Sequence, residues 1–229
     1  MNYDDAPFAV QRYREMQKAL PGADALYQLC RAQLETYLPL AAKVLVVGAG
    51  GGREIENLGA SESNYAITGV DPSEQMLEIA RYYASICQQR ARIELVTGTV
   101  ADLPLTDTRF DAATSLLVMH FLQDDDGADG KRAYCDAIRE RLKPGAVLLH
   151  ADVSFDNAED FQTIVPVFRR YGALAGLAEE EVEAGPGIIQ AMPIISSHRT
   201  AALLQAAGFG APQLFFQSLW YRAWMTKAI

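Results

Sequence analysis

One bend almost without side chains, set between a β-branched run and a helix start, limits what this chain can fold into. Residues 43–59 read K-V-L-V-V-G-A-G-G-G-R-E-I-E-N-L-G. Residues 44–47 are aliphatic and mostly β-branched, the pattern of a strand buried on both faces. The run stops at Gly48-Ala49-Gly50-Gly51-Gly52, and helix-forming residues begin at Arg53. Glycines at such a bend let the backbone approach a ligand closely, and the helix start offers unpaired N–H groups to an anion or nucleotide. A second apolar run, residues 66–70, ends in Asp71, 19 residues after Gly52. A carboxylate at the tip of the next strand is placed to take both hydroxyls of a ribose.

Two nucleotide readings compete for this pair of features. The dinucleotide fingerprint G-x-G-x-x-G needs a third glycine where Arg53 stands, which weighs against a nicotinamide cofactor. The spacing G-x-G-x-G (Gly48, Gly50, Gly52) with Asp71 instead resembles the first two motifs of class I S-adenosylmethionine-dependent methyltransferases. That resemblance implies an adenosyl cofactor held by Gly48, Ala49, Gly50 and Gly52, by Asp71, and by Pro72 and Met76 just beyond it. The chain departs from the family at one place. An acidic residue usually stands two positions before the first glycine, and here the residue is Val46.

Length and composition narrow the class further. At 229 residues the chain can bury the core of one α/β domain with a small insertion, and 50% hydrophobic with 21% charged residues argues against disorder. A net charge of −9, from 29 acidic and 20 basic residues, repels phosphate backbones, so a nucleic-acid substrate is disfavoured. Arg169-Arg170 and His198-Arg199 are only pairs, not a basic patch. Cys30, Cys87 and Cys135 are too far apart for metal-ligand spacing and read as reduced core thiols. No apolar stretch approaches the ~18 residues of a membrane span. The expectation is a cytoplasmic protein with a small-molecule substrate, no membrane and no metal, and with self-association into a homodimer left open.

Along the chain, residues 7–20 carry a helical apolar stripe (Ala9, Tyr13, Met16, Leu20) opened by Pro7, and Tyr3, Arg12 and Tyr13 are placed to touch a ligand or to close the sheet surface. A second helix is expected from Asp24, as N-cap, with Leu26, Cys30, Leu34 and Leu38 on one face. These two helices make up an N-terminal segment, residues 1–40. After Asp71, Met76 to Cys87 show a helical face, and residues 92–96 read as a third strand. Gly98-Thr99-Val100-Ala101-Asp102-Leu103-Pro104 resembles the family's adenine-reading loop, which implies Thr99 and Val100 at the cofactor. Asp102 serves equally well as a turn former. Residues 109–117 resemble the fourth strand, whose end at Ser115, Leu116 and Leu117 would pass beneath the methyl-bearing sulfur. The acidic run 124–130 lacks a calcium-loop ligand pattern, because Ala128 falls where a ligand belongs, and reads as a solvated loop before a helix.

Leu142-Lys143-Pro144-Gly145 and the apolar run 146–149 give a turn and a fifth strand. Residues 154–195 then interrupt the fold: a helix with Phe155, Phe161, Ile164, Val167, Phe168 and Tyr171, an acidic segment and a Gly/Pro-rich loop. A segment of that length at this place is the candidate substrate lid. A helix stopped by Gly208 and two strands too close to be anything but a hairpin complete the chain. The whole looks like one class I methyltransferase domain over residues 1–229, a Rossmann-like doubly wound sheet of seven strands in the order 3-2-1-4-5-7-6 with strand seven antiparallel.

From His120 onward the chain also resembles carboxy-S-adenosylmethionine synthases, through H-F-L at 120–122, S-F-D at 154–156 and A-G-F with L-F-F-Q at 207–217. In that family an arginine pairs with the extra carboxylate. The corresponding position falls near Gly185, and no basic residue lies between Val182 and Ser197. An unpaired, desolvated carboxylate would cost several kcal/mol, about what decides against that chemistry.

Methyl transfer from a sulfonium asks the protein mainly for orientation, with at most a base to take a proton from the acceptor. His120, which follows the strand nearest the methyl group, is the preferred base. His150 and Asp152, at the end of the fifth strand, are the other catalytic candidates, and His198 stands at the start of the last helix. The apolar lid points to a small, partly apolar acceptor, with S-adenosylhomocysteine as the other product. A non-catalytic adenosylmethionine-binding protein and a nicotinamide oxidoreductase are the competing readings.

Overall fold

The computed structural model describes Gln17 and residues 20–87, 91–106, 109–125, 127 and 130–229. The helix expected over 7–20, with Tyr3, Arg12 and Tyr13, falls almost entirely outside them. The first described helix, α1 (Ala23–Tyr37), follows Gly22, whose left-handed backbone (φ 78°) turns the chain into it. Asp24 is therefore in the first turn rather than at the cap, and its carboxylate is paired with Arg53.

Next come β1 (Lys43–Val47), α2 (Arg53–Gly59), β2 (Ala66–Asp71), α3 (Glu74–Cys87), β3 (Arg92–Thr97), β4 (Phe110–Leu116) and α4 (Lys131–Glu140). β5 (Leu142–Val153), α5 (Ala158–Leu174), α6 (Glu179–Ala191), α7 (Ser197–Ala206), β6 (Gln213–Ser218) and β7 (Tyr221–Lys227) complete the order. The strands form one seven-stranded sheet, β3-β2-β1-β4-β5-β7-β6. β1 to β5 run parallel, and β7 lies antiparallel between β5 and β6. The geometric cause is the link between β6 and β7, which is only Leu219 and Trp220; so short a link allows only an antiparallel neighbour.

β5 is longer than the apolar run alone suggests. Leu142 pairs with Phe110 and Val147 with Ala112, so Lys143 to Ala146 bulge out opposite Asp111 without ending the strand.

Two apolar layers sandwich the sheet. Leu26 and Leu34 of α1, Ile55 of α2 and Leu77 of α3 pack on the face that carries Val44, Val46 and Ile67. Ile138 of α4 and Leu203 of α7 pack on the opposite face, with Leu45, Val47 and Leu148. Strands covered on both sides are apolar throughout, and so β1 shows four consecutive buried residues. All three cysteines are buried and free.

α5 and α6 make a third, separate cluster. Phe161 and Phe168 close on Trp220, which is fully buried in the β6–β7 turn, at ring-centroid distances of 5.3 and 4.9 Å. Gly185-Pro186-Gly187, read from sequence as a loop, lies inside α6. A Cβ on Gly185 would come within 2.8 Å of the Phe168 ring, so the glycine lets α6 press against α5. Among the described residues, no helix is long and apolar enough to cross a membrane.

Candidate cofactor and catalytic site

The bend after β1 is a short 3-10 turn, Ala49–Gly51, entered and left through glycines in the left-handed region, Gly48 (φ 78°) and Gly52 (φ 68°). Gly48 N–H donates to Val70 O at 2.8 Å, which fastens the bend to the end of β2. Gly50 N–H donates to Asp71 Oδ2 at 3.0 Å, and Ser73 N–H donates to Asp71 Oδ1 at 2.9 Å. The bend and the carboxylate are thus in direct contact, with Asp71 only half-buried. Met76 sits beside them, its N–H donating to Ser73 Oγ at 3.2 Å. Pro72 lies between the two contacts to Asp71 and Ser73.

The glycines do different jobs. A Cβ on Gly50 would lie 2.6 Å from Met76 Cβ and 2.7 Å from Asp71 Oδ2, so only a glycine leaves that cradle open. A Cβ on Gly52 would instead strike Tyr83 and Ala80, which makes its bareness a condition for α2 packing on α3. Arg53, the residue that breaks the dinucleotide fingerprint, pairs with Asp24 and stacks 4.4 Å from the Tyr27 ring centroid. It pins α1 next to the bend.

On β3's side, Thr99 and Asp102 form a capping box around a short 3-10 turn. Thr99 donates to Asp102 Oδ2 from its N–H at 2.7 Å and from its hydroxyl at 2.8 Å. These bonds hold the Asp102 carboxyl below its usual range. Val100 is buried beneath them.

The ends of β4 and β5 bring the remaining candidates together. Leu116 is buried in the core on the α1–α3 face. Leu117 adopts φ 62°, uncommon for a residue with a side chain, and its N–H donates to Ala151 O at 2.7 Å. The chain then makes a 3-10 turn, Met119–Phe121, that carries His120. His120 is buried, and its Nδ1 is hydrogen-bonded to Asp152 Oδ1. Val153 N–H donates to the same Asp152 oxygen at 2.9 Å. With Nδ1 engaged, Nε2 is the nitrogen left for proton transfer.

His150 is buried one pleat below. Its Nδ1 is 3.2 Å from Ser115 Oγ, which is in turn 2.8 Å from the Tyr134 hydroxyl on α4. Its Nε2 has no hydrogen-bond partner among the described residues. Burial holds the imidazole below its ordinary value, so the ring stays neutral near pH 7. His198 is exposed in the first turn of α7 and joins neither group. Its neighbour Arg199 binds Asp124 of the acidic loop, at 2.9 to 3.2 Å. Among the described residues no group of three or more His, Cys, Asp or Glu could hold a metal.

Residues 44–145 match the family model described as a methyltransferase domain. Over this stretch the chain is similar to methyltransferase domains, and the seven-stranded sheet order extends the likeness to the fold. The curated relatives that match are the demethylmenaquinone methyltransferases of two strains of Tropheryma whipplei, 34% identical over 131 residues, 56% of this chain. The chain spans about half the length of those relatives, 47%. Among solved structures, the fold is shared with an S-adenosylmethionine-dependent methyltransferase from Thermotoga maritima, at TM-score 0.62 and 19% identity. That match covers 95% of each chain. A methyltransferase from Aquifex aeolicus superposes at TM-score 0.63 with 16% identity, over 97% of this chain and all of that one.

The residues of this crevice fit an adenosyl cofactor. The cradle at Gly50 is one that a single Cβ would fill, and the Asp71 carboxylate stands at its edge.

Three groups at the site, two buried and one half-buried, were not foreseen from sequence. Glu54 lies in the first turn of α2 and accepts from the Thr114 hydroxyl on β4 at 2.5 Å. Lys131, fully buried, donates to Met119 O at 2.8 Å and to Leu122 O, and so clamps the turn that carries His120. Tyr134 supports Ser115. A lysine and a glutamate in the first turns of amphipathic helices read as solvated charges, and no local pattern separates these from surface ones. For Glu54 alone a hint existed: the missing acid at Val46.

Proposed function

We propose that this domain transfers the methyl group of S-adenosylmethionine to a small, partly apolar acceptor. The observation that carries the reading is the contact between Gly50 N–H and Asp71 Oδ2, which sets a ribose-binding carboxylate against an open backbone cradle. When bound, the cofactor supplies an electrophilic sulfonium methyl, open to in-line displacement. Asp71 would take the ribose hydroxyls, Gly48 to Gly50 would receive the methionine end along the backbone, and Thr99 and Val100 would border the adenine. His120 takes the acceptor's proton at Nε2, and Asp152 fixes its tautomer and orientation, the usual task of a carboxylate behind a catalytic imidazole.

The acceptor class follows from what stands nearby. Residues 154–195 act as the lid, held down by Phe161 and Phe168 on Trp220, with the half-buried Phe155 as aromatic surface beside the end of β5. The acceptor is a small molecule rather than a nucleic acid, given the net charge of −9. Demethylmenaquinone, named for the curated relatives, belongs to this class and enters the acceptor panel.

The reading is tested by thermal melts with S-adenosylhomocysteine and with NADH. A ligand at 100 times its Kd stabilises a fold by about 2.7 kcal/mol. A shift with the first and none with the second is expected; the reverse overturns the reading. Turnover of labelled S-adenosylmethionine against apolar phenols, amines and thiols then finds the acceptor. Binding with no turnover on any of them would leave a non-catalytic role.

A further inference from the structure

Glu54 is a carboxyl group in a place that disfavours one. It is 7% exposed, wedged between α2 and β4, with the Thr114 hydroxyl donating to it. Thr114 is the register neighbour of Val46, so the Glu54 carboxyl stands beside the strand position where the family carries its acid. The charge it feels is that of Asp71 on β2, and the neighbouring Cys30 thiol on α1 and Tyr134 phenol on α4, both pushed up and neutral, offer it no cation. Among the described residues no basic side chain pairs with it. A buried carboxyl with one carboxylate nearby and no cation gains most from a cation that arrives with a ligand.

We propose that Glu54 is the recognition group for the α-ammonium of the cofactor's methionine end, delivered from the first turn of α2 in place of a strand-borne acid at position 46. The inference rests on the reading of the crevice as an adenosylmethionine site. It explains why a chain with valine at that position keeps an acid buried nearby, and why Thr114 is a hydrogen-bond donor inside an apolar strand. Burial pushes the free carboxyl up to about 8, with Asp71 adding to the rise against the pull of Thr114, so it is mostly protonated at pH 7. Pairing with an ammonium lowers it again. Cofactor binding therefore releases a proton from Glu54 to solvent, and the charge balance closes as a neutral acid becomes the carboxylate of an ion pair.

Calorimetry on the full chain tests this with two ligands, S-adenosylhomocysteine and 5′-methylthioadenosine, which lacks the amino-acid end. Each is titrated at pH 7 into buffers of different ionisation enthalpy. The wild type should release up to about one proton with S-adenosylhomocysteine and none with methylthioadenosine. Glu54→Gln should abolish that release and weaken S-adenosylhomocysteine roughly 10- to 100-fold, with methylthioadenosine changed less than about twofold. Adding Val46→Asp to that variant should restore part of the lost affinity. Equal loss for both ligands, or no loss for either, overturns the role of Glu54 while leaving the adenosyl site intact. Failure of the wild type to bind either ligand sinks the site itself. Methylthioadenosine binding reports in every case that the variant is folded.

Discussion

Asp152 and His120 meet through Oδ1 and Nδ1 although 32 residues separate them, because β4 and β5 are neighbours whose ends point to the same side of the sheet. The imidazole sits on a turn clamped by Lys131, and the carboxylate ends the adjacent strand. Position, not proximity in sequence, makes them a pair.

If this pair handles the acceptor's proton, His120→Ala should lower kcat by about 10²- to 10⁴-fold, and Asp152→Asn by less, while the S-adenosylhomocysteine melt shift is kept. A His120→Ala enzyme with unchanged kcat across pH 6 to 9 would show that transfer needs no base here.

Gly50→Ala should remove the S-adenosylhomocysteine shift, since the new Cβ would meet Met76 and Asp71 at 2.6 and 2.7 Å. Asp71→Ala should do the same by removing the ribose contact, whereas Gly187→Ala, with nothing within 4 Å and no left-handed backbone, should leave binding unchanged. Melts with and without ligand check all three; a full shift in Asp71→Ala would refute the ribose assignment.

Two buried groups give the protein opposite pH slopes. Glu54 is raised from 4.5 to about 8, so the stability it allows is fully present below about pH 4.5 and is lost as pH rises through 8. The loss is on the order of a few kcal/mol. His150 is held below 6.5, so its contribution is present above that value and is lost as pH falls through the lowered one. Denaturant melts from pH 4 to 9 should show Glu54→Gln flattening the alkaline decline and His150→Gln flattening the acid one.

Lys131→Met should destabilise the domain by roughly 1–3 kcal/mol for each carbonyl left without its donor, Met119 and Leu122. His120 rides on that turn, so kcat should fall along with the denaturation midpoint.

Trp220→Ala should cost about 3–5 kcal/mol, because the ring is fully buried against Phe161 and Phe168. Limited proteolysis should then cut first within α5 and α6, whose separate cluster that ring anchors.

The glycine bend, the acid-tipped second strand and the closing hairpin were legible in the chain because each is a local consequence, whereas the strand order came through the resemblance to methyltransferases. β-branched runs, bare turns and a two-residue hairpin link dictate backbone paths within a few residues of themselves. The extent of β5, the helical state of Gly185 to Gly187 and the place of Asp24 were not, since each depends on a partner from elsewhere: Phe110 across the bulge, Phe168 against α6, Arg53 against α1.

The sequence by itself pointed to a ligand class for the first crevice, because a cradle needs only glycines at fixed spacing and one carboxylate on the next strand tip. Only the tertiary structure decided which charges are buried. Glu54, Lys131 and His150 look like any polar residues along the chain, and what distinguishes them is the desolvation imposed when strands and helices from distant segments close over them.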